Sequence, residues 1–160
     1  MSDSLEVRLC GLMTDRGWTL SVAETTTGGL ISSRIVSVPG SSAFFERGLV
    51  PYSATAKTQA LGISQSLLKR CGAVSEEVAS AMAEAVGRTS HSTLGLAETG
   101  IAGPIRGRSP KPLGTSYIAL STPDGVRCEC FVFGGDRNEI RVRIAEQALR
   151  MTVDYIEDAA

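Results

Sequence analysis

The segment that decides the fold is Leu20-Ser21-Val22-Ala23-Glu24-Thr25-Thr26-Thr27-Gly28-Gly29-Leu30-Ile31. It begins as a short apolar strand, passes through three consecutive hydroxyl side chains and two glycines, and enters a helical pattern at once. The first N–H groups of a helix point at whatever precedes it, and glycine lets a ligand approach the backbone. The segment therefore indicates either an anion or nucleophile site, or an ordinary strand–helix turn with a threonine N-cap. It is not a P-loop, because no Gly-Lys-Ser/Thr follows.

Composition bounds the class of protein. The chain has 160 residues, of which 42% are hydrophobic and 21% charged, so a single domain spanning residues 1–160 is expected. With 16 basic and 17 acidic residues, the net charge is −1, and nucleic acid is disfavoured as the main partner. No apolar run reaches the length of a membrane span, and the first residues lack the layout of a signal peptide. These features predict a cytoplasmic protein.

The cysteines and the histidine argue against two kinds of site. The four cysteines contain no CxxC pair, and His91 is the only histidine, so a zinc site is not expected. A Ser-His-Asp triad would depend on His91 alone, which makes that mechanism improbable. A metal site is therefore not predicted, and no cofactor is expected.

Hydrophobic periodicity and turn signals predict alternating helices and strands. The predicted helices are 3–16, with Asp3 and Glu6 at capping-box spacing, then 28–36, two short helices within 54–70, a helix starting at 75, and 137–157. The predicted strands are 18–24, the second half of 41–53, 93–99, and a hairpin formed by 115–121 and 128–133. This order predicts a three-layer α/β/α domain with a mixed, mostly parallel sheet.

Three loops follow strands and are candidates for one shared site. They are the segment after Ala23, the Thr99–Gly114 loop and the Gly134–Arg137 turn. In open α/β sheets, ligands bind beyond the carboxyl ends of the strands.

Seven motifs, in this order, resemble those of the CinA C-terminal-domain family. They are Ala23-Glu24-x-x-Thr27-Gly28-Gly29, Pro39-Gly40-Ser41-Ser42-Ala43-Phe44-Phe45, Tyr52-Ser53-x-x-Ala56-Lys57, Gly72-Ala73-Val74-Ser75-Glu76-Glu77-Val78, Thr99-Gly100-Ile101-Ala102-Gly103-Pro104, Lys111-Pro112-x-Gly114-Thr115 and Gly134-Gly135-Asp136-Arg137. The resemblance runs from about residue 5 to residue 150.

The resemblance implies a competence/damage-related, metal-independent amidohydrolase, often dimeric. The expected reaction converts nicotinamide mononucleotide to nicotinate mononucleotide and ammonia, as in pyridine nucleotide recycling. The expected partners are this mononucleotide and a second copy of the chain. The implied catalytic residues are Thr25, Ser42, Tyr52 and Lys57, and the implied substrate-binding residues are Thr26, Thr27, Gly28, Gly29, Thr99, Gly100 and Arg137.

A lysine can act as a general base when burial lowers its pKa, and Lys57 is the candidate. Thr25 and Thr26 stand where the family typically has Ser and Cys, so either Thr25 or Ser42 is the candidate nucleophile. Glu98 replaces an apolar residue of the family pattern.

Three hypotheses follow. The first is an active mononucleotide amidase. The second is a binding or regulatory protein that keeps the pocket without deamidation. It is motivated by Thr25, Thr26 and Glu98, and by Ala54, which stands where the family usually has Asn. The third is an amidase for a different substrate, motivated by Arg106 and Arg108, which replace the family's glycine-rich loop.

Overall fold

A five-stranded sheet forms the middle layer of the computed structural model, which describes residues 3–159. Its strands are β1 (Leu20–Ala23), β2 (Phe45–Leu49), β3 (Leu94–Gly100), β4 (Thr115–Thr122) and β5 (Gly125–Val132). The spatial order is β2-β1-β3-β4-β5. β1 pairs in parallel with both β2 and β3, whereas β3–β4 and β4–β5 are antiparallel.

Helices cover both faces of the sheet. They are α1 (Leu5–Arg16), α2 (Leu30–Val36), α3 (Ala54–Leu61), α4 (Gln65–Cys71), α5 (Glu76–Ser90) and α6 (Arg137–Asp158). Apolar residues of α1, α2 and α6 share one core cluster. The second cluster contains α5 and the residues that pack beside it from α3 and α4. The predicted three-layer α/β/α class with a mixed sheet is confirmed.

Strand residues alternate between these two layers. Val22 and Leu96 point toward α1, α2 and α6, whereas Ala23 and Ala97 point toward α5. The small residues on the second face let α5 approach β3 closely. At Gly95 a Cβ would lie 2.1 Å from the carbonyl oxygen of Ala83, so only glycine permits this contact.

Two local predictions need correction. The N-cap of α1 is Ser4, whose hydroxyl accepts a hydrogen bond from Val7 N at 3.4 Å, and not Asp3. The strand predicted in the second half of 41–53 begins earlier and ends at Leu49, because Pro51 has no N–H to donate to a ladder. The two short helices on either side of Gly62 and the β4–β5 hairpin match the prediction.

Between residues 3 and 159, no helix is both long enough and apolar enough to cross a membrane.

Candidate active site

Parallel pairing brings two polar segments to the same edge of the sheet. β1 and β3 run side by side, with Ala23 opposite Ala97. The chain leaves β1 at Glu24 and Thr25, next to Glu98 and Thr99 of β3. These hydroxyl and carboxyl side chains are buried. The structure therefore brings together the segment after β1 and the Thr99 loop, two of the three loops for which the sequence predicts one shared site.

A cavity of about 300 Å³ lies at this edge. The predicted site residues that line it are Thr25, Thr26, Tyr52, Lys57, Thr99, Gly100 and Arg137. They come from the loop after β1, the segment around the start of α3, the end of β3 and the start of α6. The long loop after β3 completes the wall and includes Arg106.

The structure does not bring Ser42 to this cavity. Ser42 is exposed in a 3₁₀ turn, Ser41–Ala43, just before β2. That turn lies at the start of β1, since Leu20 N donates to the carbonyl oxygen of Phe44 at 2.9 Å. Thr25 follows the other end of β1, so the two candidate nucleophiles lie at opposite edges of the sheet.

Glu24 occupies the N-terminus of α2. Glu24 Oε1 accepts a hydrogen bond from Ile31 N at 2.8 Å, and Oε2 accepts from Ser32 N at 3.0 Å and from Ser32 Oγ at 2.7 Å. The free N–H groups of a helix start attract an anion, and here an internal carboxylate supplies it. Glu24 therefore fixes the loop to the start of α2.

The carboxyl group of Glu98 accepts hydrogen bonds from backbone amides of the loop between β1 and α2. Its Oε1 accepts from Thr25 N at 2.7 Å and from Thr27 N at 3.0 Å. The sequence indicated a possible anion site on this loop, and here the anion-binding N–H groups of Thr25 and Thr27 are occupied by a buried carboxyl group of the chain itself. Thr27 is buried, and neither it nor Gly28 nor Gly29 is among the residues that line the cavity. The glycines instead adopt positive φ angles of 60° and 100° that turn the chain into α2.

Lys57 is buried in the cavity wall. The residue is 3% exposed, and its Nζ donates to the carbonyl oxygen of Tyr52 at 3.1 Å. Burial lowers the pKa of Lys57, because desolvation disfavours the ammonium form, and the nearby Glu98 opposes this by favouring the charge. Lys57 therefore has the environment of a general base.

Tyr52 and Arg137 meet at the mouth of the cavity. Arg137 Nη2 donates to the hydroxyl of Tyr52 at 3.3 Å, and Nη1 donates to the carbonyl oxygen of Gly103 at 2.7 Å. A capping box between Asp136 and Glu139 fixes the start of α6 and thereby places Arg137. The guanidinium remains on the cavity wall, where it can bind a phosphate.

Arg141 holds the loop from outside the cavity, and sequence reasoning missed it. Its Nε donates to the carbonyl oxygen of Thr26 at 3.0 Å, and Nη2 donates to that of Thr27 at 2.9 Å. The signal that could have found it is its spacing, since Arg141 lies one helical turn after Arg137 on the same face of α6.

The hydroxyl of Thr25 points toward β3. Thr25 Oγ1 donates to the carbonyl oxygen of Glu98 at 3.2 Å and lies 3.5 Å from Thr26 Oγ1. The side-chain hydrogen bonds found across residues 3–159 do not include one between Thr25 and Lys57. Both residues face the same cavity, so a hydroxyl, an amino group and the Arg137 guanidinium line one small space.

None of the described residues form a group of three or more His, Cys, Asp or Glu side chains that could hold a metal ion.

A family model for the CinA C-terminal domain matches residues 2–156. The chain belongs to this family. It is 48% identical to a CinA-like protein of Syntrophus aciditrophicus, over 96% of this chain and 37% of that protein. It is 41% identical to a putative competence-damage inducible protein of Caldanaerobacter subterraneus, over 97% of this chain and 38% of that protein. The chain thus spans little more than a third of the length of these curated CinA relatives.

Solved CinA structures share the fold along nearly the whole chain. The competence/damage inducible protein CihA from Agrobacterium tumefaciens superposes with a TM-score of 0.90 at 35% identity, covering 96% of this chain and 98% of that one. A CinA superfamily protein from Klebsiella pneumoniae superposes with a TM-score of 0.93 at 25% identity, covering 96% of each chain. The fold that carries the cavity is therefore the fold of these CinA structures.

Proposed function

We propose that this CinA-family chain hydrolyses the carboxamide of nicotinamide mononucleotide, giving nicotinate mononucleotide and ammonia. The observation that carries the proposal is the burial of Lys57, with its lowered pKa, in the cavity that Thr25 also lines. A lowered pKa makes the uncharged amine of a lysine more populated than in an ordinary exposed lysine, and only the amine can take a proton from a hydroxyl.

Thr25 is the proposed nucleophile and Lys57 the proposed base. The bond from Thr25 Oγ1 to the amide carbon forms while the hydroxyl proton passes to the Lys57 amine. The carbon–nitrogen bond then breaks, and the Lys57 ammonium returns the proton to the leaving nitrogen, which departs as ammonia. Water attacks the resulting ester with Lys57 again as base, which releases the carboxylic acid and restores the Thr25 hydroxyl.

The other cavity residues bind and polarise the substrate in this scheme. Thr26 Oγ1, at 3.5 Å from Thr25 Oγ1, is placed to donate to the oxyanion of the tetrahedral intermediate. The loop amides of Thr25 and Thr27 are already used by Glu98, so the phosphate is assigned to Arg137 and Arg106, which both line the cavity. Tyr52, whose hydroxyl contacts Arg137, orients the bound mononucleotide.

A second candidate is a protein that binds the mononucleotide without hydrolysing it. Two observations favour it. The Thr25 hydroxyl donates to the carbonyl oxygen of Glu98 rather than to Lys57. The β-methyl group of threonine also restricts rotation about χ1, which a serine would not do.

Product analysis and calorimetry separate the two candidates. Wild type, Thr25→Ser and Thr25→Val are incubated with nicotinamide mononucleotide, and nicotinate mononucleotide and ammonia are both quantified. Equal amounts of the two products from wild type, absent for Thr25→Val, support hydrolysis. Binding of the mononucleotide by wild type, measured by calorimetry, with no product from either wild type or Thr25→Ser, supports the second candidate.

A panel of other pyridine nucleotides and small amides tests whether Arg106 selects a different amide.

A further inference from the structure

Three oxygens are packed around a single hydroxyl proton beneath the loop. Thr27 Oγ1 lies 2.6 Å from Glu24 Oε1 and 2.8 Å from Glu98 Oε1. A threonine hydroxyl has one proton to donate, so it cannot make a full hydrogen bond to two ionised carboxylates. Two oxygens at such a distance with no proton between them repel. The arrangement therefore requires a second proton, which must be carried by the carboxyl group of either Glu24 or Glu98.

Glu24 is not the holder of that proton. Besides Thr27, its two oxygens accept hydrogen bonds from Ile31 N and from both the amide and the hydroxyl of Ser32. All of these groups act as donors, and they lie at the start of α2, where the helix dipole favours negative charge. This is the environment of an ionised carboxylate.

Glu98 has the opposite environment. Its side chain is fully buried, and its Oε2 has no hydrogen-bond partner within residues 3–159. A negative charge spread onto an unpartnered buried oxygen is costly. Burial raises the pKa of Glu98, hydrogen bonds from Thr25 and Thr27 oppose this, and the neighbouring Glu24 charge adds to the rise.

We propose that Glu98 is a neutral carboxylic acid in the folded protein and acts as a positioning residue, tying the Thr25–Thr27 loop to β3 without placing a negative charge beside Lys57. The charged groups that act on it are Glu24, which follows β1, and Lys57 from α3. The Arg141 guanidinium is engaged by the carbonyl oxygens of Thr26 and Thr27.

The neutral state matters for the base. An ionised Glu98 would raise the pKa of Lys57 and favour the ammonium form, which has no lone pair to accept a proton. A protonated Glu98 leaves the lowering of the Lys57 pKa by burial unopposed, and this favours the amine form. This consequence rests on the proposed function, whereas the protonation of Glu98 does not.

Infrared spectroscopy tests the protonation without any substrate. The carbonyl stretch of a protonated carboxylic acid is separate from that of a carboxylate, and it is measured at neutral pH for wild type, Glu98→Gln and the control Glu129→Gln, which alters an exposed residue of β5. The expected band is present in wild type and Glu129→Gln and absent from Glu98→Gln. A wild-type spectrum without the band, or a band that survives in Glu98→Gln, overturns the proposal. If Glu98→Gln does not fold, the spectrum of wild type decides, since a band at neutral pH supports the proposal and its absence overturns it.

The pH profile of kcat/KM tests the effect on Lys57. With Glu98 already neutral, Glu98→Gln replaces one uncharged acceptor with another, and the acid limb of the profile coincides with that of wild type. A shift of that limb to lower pH in Glu98→Gln shows that wild-type Glu98 is ionised, and overturns the proposal. If wild type releases no ammonia at all, the proposed function fails while the infrared result still decides the state of Glu98.

Discussion

Glu98 Oε1 accepts a hydrogen bond of 2.7 Å from the backbone amide of Thr25. The two residues are 73 positions apart and meet because β1 and β3 pair in parallel. The bond fixes the loop that carries the proposed nucleophile to the middle of the sheet. It also occupies the Thr25 N–H, which would otherwise be free to donate to an anion. In the proposed function, the substrate phosphate is therefore bound by side-chain guanidinium groups.

Removing the carboxyl group of Glu98 should destabilise the protein. Glu98→Val leaves the buried amides of Thr25 and Thr27 without their acceptor, and each such loss costs about 1–3 kcal/mol. We expect a fall of about 2–6 kcal/mol in the free energy of unfolding, measured by urea denaturation near pH 5. Glu98→Gln keeps an acceptor oxygen and should lose less than half as much. Equal losses for both variants would contradict this account of the loop.

The stability of wild type relative to Glu98→Gln should fall as the pH rises. Because folding raises the pKa of Glu98, the folded state binds more protons than the unfolded state above about pH 4.3. The stabilising contribution is complete below that pH and is lost progressively as the pH rises through the folded-state pKa. Urea denaturation of both proteins across this range measures the difference, and a difference independent of pH would count against a raised pKa.

Lys57→Met should stabilise the protein, with the opposite pH dependence. Because folding lowers the pKa of Lys57, the unfolded state binds more protons below about pH 10.4, and wild type loses stability as the pH falls through the folded-state pKa. The buried methionine carries no such penalty. The gain in the free energy of unfolding should be present at neutral pH and shrink as the pH approaches 10. Lys69→Met, on exposed helix α4, is the matched control and should change stability little.

Arg137→Ala should weaken substrate binding more than it slows the chemistry. A charge-assisted hydrogen bond contributes about 1.5–3 kcal/mol, so KM is expected to rise about 10- to 100-fold with a smaller change in kcat. Steady-state kinetics with the mononucleotide measures this. Arg143→Ala is the control, since Arg143 contacts the carbonyl oxygen of Gly134 and is not one of the cavity-lining residues. An unchanged KM in Arg137→Ala would remove Arg137 from the phosphate site.

Local signals were enough to predict most of the fold. Glycine and proline positions marked the ends of the helices, and the alternation of strands and helices predicted the three layers. Both features are predictable because they depend on residues that are close together in the sequence. The register of β2 was less predictable, since its residues are largely exposed and lack a clean alternation.

The candidate site was predictable only in part. The resemblance to the family's motifs assigned Thr25, Lys57 and Arg137 to one site, and the three residues line one cavity in the structure. The sequence could not show that Glu98 would reach the Thr25 amide or that Arg141 would hold the same loop. Both contacts depend on the three-dimensional pairing of segments separated by 73 and 115 positions. Ser42 looked equivalent to Thr25 as a hydroxyl, and only the sheet topology separates them.

The most direct test of the central claim is the initial rate of ammonia release from nicotinamide mononucleotide by wild type and by Lys57→Met. A general base contributes about 10²- to 10⁴-fold to a rate, so the account predicts release by wild type and a loss of that size in Lys57→Met, with binding of the mononucleotide retained. Release at the same rate by both proteins, or no release by folded wild type that binds the mononucleotide, would contradict it.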